Sequence, residues 1–252
     1  MILSPTTIGC IVFACVFGGA LLGLFLAEVL PEQHLSLDTK DAVKLGMGVI
    51  GTMAALVLGL LIASAKSHYD AEISAVTQMA AKFSLLDRVL AHYGPETTEA
   101  RDLLRGSVAG ILDRMWPKDN QRFATLAPSG RGEEFFDKIE ELVPRTDSQH
   151  SLRDRALEIS TEIGYTHWLL FEQADASIPM PFLVVLIFWL TIIFASFSLF
   201  APRNATVIAT QFVCALSVSA AIVLILELER PFAGLLQISS APLQTALAHM
   251  GQ

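Results

Sequence analysis

Four stretches of this chain stay apolar for about 20 residues or more, the length a helix needs to cross a bilayer. They run from Ile8 to Leu30, Gly46 to Ala65, Leu183 to Phe200 and Ala205 to Leu228. The last two are separated only by Ala201-Pro202-Arg203-Asn204. Pro202 cannot continue a helix and Asn204 can cap the next one, so the spacing predicts a transmembrane hairpin. Between the second and third spans lie 112 residues, Lys66 to Ser177, with no run long enough to cross. Their apolar residues recur at helical spacing, as in Val76, Met79, Phe83, Leu86 and Leu90. Breaks at Gly94-Pro95, Pro117 and Pro144 predict four helices: Lys66 to His92, Thr98 to Trp116, Glu133 to Val143, and Ser148 to about Ala174. Pro31 to Leu45 reads as a polar link, and Pro117 to Gly132 as a loop.

The predicted fold class is therefore all-α: a polytopic membrane protein with two N-terminal and two C-terminal transmembrane helices around a central helical soluble segment. The expected divisions are 1–65, 66–178, 179–230 and an interfacial C-terminal segment, 231–252. The first span has no Lys or Arg before it and no small-residue cleavage site after it, so it reads as a retained helix.

Within the spans, small and weakly polar residues form stripes. Gly19, Gly23 and Ala27 lie four apart, a spacing that lets two helix backbones approach closely in lipid. On the second span Gly48, Gly51, Thr52, Ala55, Gly59 and Ala63 share one face. Such a face either packs tightly or lines a path that bulky side chains must not block; Gly51, Thr52, Ala55 and Gly59 are the candidates for lining it. On the fourth span Thr206, Thr210, Cys214 and Ser217 recur on one side, with Gln211 beside them. Hydroxyls so placed bond to a neighbouring helix, bond back to their own carbonyls, or line a pore. Glu227, Glu229 and Arg230 follow at the membrane edge. They are either a hydrated end or, if several copies surround an axis, a ring of mouth charges.

Composition narrows the picture. Of the 252 residues 53% are hydrophobic, the mean hydropathy is +0.53 and the formal net charge is −8. That balance excludes a nucleic-acid partner, which requires basic patches. Cys10, Cys15 and Cys214 all lie inside spans and suggest neither a disulfide framework nor a metal site. The six histidines show no metal-binding spacing, and His167-Trp168 reads as a membrane-proximal pair. Nucleophile elbows, phosphate loops and dinucleotide fingerprints are lacking, so neither an enzyme nor a cofactor is expected. No ionisable residue occupies the middle of a span, which argues against a proton-coupled transporter but not against a passive pore.

Pro179-Met-Pro-Phe182, Phe188-Trp189, Phe200-Ala-Pro-Arg-Asn204 and Glu227-Leu-Glu-Arg-Pro-Phe-Ala-Gly234, together with Gly51 to Glu72, resemble the bestrophin-like domain family of bacterial membrane proteins. The resemblance implies a pentameric anion channel with both termini in the cytoplasm and a pore lined by the second helix. Arg230-Pro231-Phe232 differs from the Arg-Phe-Pro motif of bestrophins, and the second-span face is small rather than bulky. No calcium or gate residue carries over. The expected function is a homo-oligomeric channel in a bacterial inner membrane, passing an ion or small solute. The alternative is a membrane-anchored interaction protein whose cytoplasmic helices bind a protein partner.

Overall fold

The computed structural model describes residues 4–31, 37–117, 130–173 and 180–250. Among them every element is helical. The helices are α1 (Pro5–Val29), α2 (Leu37–Tyr93), α3 (Thr98–Met115), α4 (Arg131–Glu140), α5 (Asp147–Gln173), α6 (Met180–Leu199), α7 (Ala205–Leu228) and α8 (Ala241–His249). Four of them, α1, α2, α6 and α7, are long and apolar enough to cross a membrane. The loop expected from Pro117 to Gly132 falls mostly outside the described residues, as do Glu32, His34, Ala174 and Pro179.

Local chemistry explains the helix ends. The Ser4 hydroxyl accepts from the Thr7 amide at 3.1 Å to start α1, and Asn204 Oδ1 accepts from the Val207 amide at 2.8 Å to start α7. The tight turn after α2 depends on Gly94, whose φ of +137° is open to glycine and strained for other residues. Thr97 Oγ1 then donates to the Leu90 and Gly94 carbonyls, at 2.7 and 2.8 Å. Two boundaries differ from expectation. Helix α2 already begins at Leu37, so Lys40, Asp41 and Lys44 are helical rather than a link. Lysine is a good helix former, and Asp41 and Lys44 face each other at the i, i+3 spacing. The C-terminal stretch, in turn, contains a helix, α8, started by Pro242 in its first turn.

The chain divides into two compact units, residues 1–68 with 178–229, and 69–177 with 230–252. The first contains α1, α6, α7 and the first part of α2. Its core joins Val12 and Val16 of α1 to Leu186 and Leu190 of α6 and Ala215 and Ile222 of α7. Phe13 and Phe17 meet the Phe212 ring edge-on, with centroids 5.3 and 5.5 Å apart. At the far end of α1, Arg203 pairs with Glu28 and donates to the Leu24 carbonyl, tying the α6–α7 link to that helix.

The second unit packs the rest of α2 with α3, α4, α5 and α8. Met79, Leu86, Leu104, Ile139, Ile159 and Leu243 are among its buried side chains. Arg101 grips Asp87 through two hydrogen bonds of 2.8 and 3.0 Å, joining α3 to α2. Residues 230–250 belong to this unit. Phe232 and Ile238 enter its core, Trp116 Nε1 donates to the Ile238 carbonyl at 2.7 Å, and the Trp116 ring meets Phe232 edge-on.

Candidate functional site

The second-span face is one that the protomer leaves open. At about 100° per residue, Gly48, Gly51, Thr52, Ala55, Gly59 and Ala63 fall within an arc of about 120° on α2. A methyl group built on Gly46, Gly48, Gly51 or Gly59 would meet nothing within 4 Å. Thr52, Ala55, Gly59 and Ala63 are exposed. A second side of α2 carries Ala54, Leu61 and Ala65, all buried in the core of the first unit. A third row, Leu45, Val49, Leu56 and Leu60, is bulky and exposed, with Leu56 at 73%. One side of α2 is therefore packed, one is bulky and lipid-like, and one is small and uncovered apart from the exposed Ile62 near its end. Thr52 is the hydroxyl on the small side. It donates to the Val49 carbonyl at 2.7 Å, which leaves its oxygen lone pairs facing outward.

The α1 stripe has the opposite surroundings. A methyl group at Gly19 would sit 2.7 Å from Thr191 Cγ2 and 3.0 Å from the Thr191 carbonyl oxygen, and one at Gly23 would collide with the Ala195 backbone. Gly9, about one turn from the start of α1, is likewise crowded, by the Val223 side chain of α7. Ala27 is half-buried. These small residues hold α1 against α6 and α7.

On α7 the recurring hydroxyls face out of the protomer. Thr206, Thr210, Cys214 and Ser217 are exposed. Thr210 donates to the Thr206 carbonyl at 2.9 Å, and Ser217 to the Val213 carbonyl at 2.8 Å. The hydroxyl that reaches another helix is Ser219. It is buried, and its Oγ donates to the Gly9 carbonyl at 2.6 Å. Sequence reasoning passed over Ser219 because it is off the stripe; its 100°-per-residue position beside Ala215 and Ile222 is the signal that could have found it.

The charges at the end of α7 are less open than expected. Glu227 is buried at 6% exposure, while Glu229 and Arg230 are half-buried, and all three have interaction partners. Arg230 and Pro231 begin the turn that carries Phe232 into the second unit, where the Ile238 amide donates to the Pro231 carbonyl at 2.8 Å. Beyond the span on α2, Glu72 is 1% exposed, and burial pushes its carboxyl up to about 7. His167 and Trp168, read from sequence as a membrane-edge pair, line a cavity within the second unit. Among the described residues no cluster of His, Cys, Asp and Glu could hold a metal ion.

Four helices long and apolar enough to cross a membrane, in a chain that is helical throughout its described elements, define the class as an all-helical membrane protein. The bestrophin-like domain matches residues 14–243, and the chain belongs to that family. Solved structures of a bacterial bestrophin homolog from Klebsiella pneumoniae share its fold. One covers 94% of this chain and 96% of its own, with a TM-score of 0.67 and 15% identity. A second covers 94% and 99%, with a TM-score of 0.64 and 15% identity. No curated protein matches in sequence.

Proposed function

We propose that this protein is a homo-oligomeric channel of a bacterial inner membrane, passing an ion or small solute along the small face of α2, with both termini in the cytoplasm. The observation that carries the reading is the uncovered row Gly48, Gly51, Thr52, Ala55 and Gly59. Facing lipid, such a face gains little, because packing in a membrane comes from close van der Waals contact and hydrogen bonds. Copies arranged about an axis give the face a use. Glycine and alanine keep the path wide, Thr52 offers oxygen atoms, and the bulky row at Leu45, Val49, Leu56 and Leu60 packs on the neighbouring copy. The family membership favours the same arrangement, since the resemblance implies a pore lined by the second helix.

The remaining candidates take lesser places. Thr210 and Ser217 have donated their protons to their own helix, so they present only lone pairs outward beside the exposed Thr206. Glu229 and Arg230 stand closer to solvent than Glu227 and are the better mouth charges. An acidic ring there would concentrate cations, whereas the family resemblance implies anions; replacing Glu229 by Gln distinguishes the two through the reversal potential.

The test is a pair of measurements on protein in liposomes. Flux of a panel of anions, cations and small neutral solutes should exceed that of empty vesicles. In a variant lacking Cys10, Cys15 and Cys214, cysteines placed at Thr52 or Ala55 should react with a membrane-impermeant thiol reagent, and those at Leu56 or Leu60 should not. Absence of flux across the whole panel, with Thr52 and Leu56 positions equally unreactive, would overturn the reading.

A further inference from the structure

The large apolar side chains that the second unit leaves exposed are gathered in a few places. Among the described residues, all but Leu85 and Val143 lie close in the chain to a membrane-spanning segment. Ile73 follows His68, where the first unit ends on α2. Tyr165, Trp168 and Leu169 lie in the last turns of α5, and the next helix is α6. Leu235, 82% exposed, follows the end of α7 at Leu228. On α5 the exposed face changes character along its length. Arg155, Glu158 and Glu162 are succeeded on the same side by Tyr165, Trp168 and Leu169, with Glu172 one turn further. Trp168 borders the cavity of this unit and still has 52% of its surface exposed, its ring braced edge-on by Phe171 with centroids 5.8 Å apart. The loop carrying Leu235 is held in shape from both ends. The Ile238 amide donates to the Pro231 carbonyl at 2.8 Å, Phe232 and Ile238 are buried, and the tip Ala233-Gly234-Leu235 is exposed. Gly234, at a φ of +112°, makes the turn that presents that tip.

We propose that these residues form a surface of the second unit that rests on the lipid bilayer, with Tyr165, Trp168 and Leu169 at headgroup depth and Leu235 against the upper acyl carbons. Chemistry and chain position point to the same partner. Tyrosine and tryptophan favour the membrane–water boundary, because the flat ring is buried while its O–H or N–H stays hydrated. A single exposed leucine on a soluble surface needs no explanation. Exposed apolar side chains at each passage between the second unit and the membrane helices share one neighbour, which is lipid. From Leu228 to Leu235 the chain reaches at most about 25 Å even when extended, and the closed loop shortens that reach. Glu172 limits the depth on α5, since a carboxylate keeps its water and holds this face among the headgroups rather than in hydrocarbon. The contact involves no part of the proposed path on α2 and stands whether or not the protein conducts.

The test uses the full chain in vesicles of phosphatidylethanolamine and phosphatidylglycerol. Cys10, Cys15 and Cys214 are replaced by alanine, and a single nitroxide-labelled cysteine is placed in turn at Trp168, Leu169, Leu235 and, as the reference, Val143, which is 79% exposed and distant in the chain from the membrane helices. All four positions are exposed, so the labelled proteins should keep the parent's melting temperature, and three independent positions remain informative if one variant fails to fold. Collision of the label with oxygen, which concentrates in lipid, is compared with collision with a water-soluble nickel chelate. The oxygen-to-nickel ratio at Leu169 and Leu235 should exceed that at Val143 by about fivefold, with Trp168 between them, as a boundary position requires. Ratios equal to that of Val143 would put these residues in water and overturn the proposal. Labels reached by neither reagent would be covered by protein, a second copy of the chain being the first candidate, and would overturn it as well.

Discussion

Helices α1 and α2 each carry a row of small residues through the membrane unit, and the two rows meet opposite surroundings. On α1, Gly19 and Gly23 press against Thr191 and Ala195 of α6, close enough that a single methyl group has no room. On α2, Gly48, Gly51 and Gly59 face open space on every side that the protomer presents. The same composition thus performs two tasks. One row removes side chains so that two backbones can touch; the other removes them and leaves the space unfilled. In lipid the first is a packing device whose stabilisation is complete within one chain. The second gains its use only when something else faces it.

The largest expected effect separates the rows directly. Gly23→Leu drives a side chain into the Ala195 backbone, which cannot yield as a flexible side chain can, and overpacking costs about 1–3 kcal/mol or more. This variant should lose monodisperse protein on size exclusion and melt far below the parent. Gly59→Leu has open space and gains roughly 0.8 kcal/mol of helix propensity. It should therefore fold and assemble, while flux in liposomes falls at least tenfold. Equal loss of folding in both would show that the α2 row is tightly packed in the assembly, and the contrast between the rows would disappear.

A second comparison lies along α2 itself, between its open membrane face and the buried Glu72 beyond the span. Glu72 holds its proton to about pH 7 in the folded protein, whereas a carboxyl in the unfolded chain releases it near its ordinary value of 4.5. The folded state binds the extra proton between those values, so stability falls as pH rises from 4.5 through 7 and is fully present below that window. At 1.36 kcal/mol per unit the contribution is about 3 kcal/mol. Melting temperature measured from pH 4.5 to 8 should decline for the parent and stay flatter for Glu72→Gln. Identical slopes would remove Glu72 as the source.

The smallest effect sharpens the distinction between packed and open faces on α7. Ser219→Ala removes the hydrogen bond to the Gly9 carbonyl, and interhelical bonds of this type average about 0.6 kcal/mol in membranes. Ser217→Ala removes only a bond to its own helix and should change stability by less. Steric-trapping or denaturant unfolding of the two variants should rank Ser219→Ala as the weaker. The reverse order would place the exposed stripe, rather than Ser219, at a structural contact.

The number of membrane helices, the proline and asparagine at the α6–α7 turn, and the helical nature of the middle segment were legible in the sequence. Each rests on local properties: apolar length, capping chemistry and 3.6-residue periodicity. The Gly19–Gly23 row was legible as a stripe of small residues at helical spacing for the same reason. What lies opposite a residue was not. Periodicity groups residues into a face but carries no information about which neighbour covers it. Gly23 and Gly59 therefore look alike in sequence, as do Ser217 and Ser219, and only the placement of α6 and α1 distinguishes them. The burial of Glu227 and Glu72, the seating of Phe232 beside Trp116, and the cavity between α3 and α5 likewise arise from segments far apart in the chain. Sequence by itself determined the helices and their membrane-crossing lengths, because these follow from each segment's own hydrogen bonding and solvation. Tertiary structure alone decided which faces are filled and which stay open, because that depends on atoms each segment does not contain.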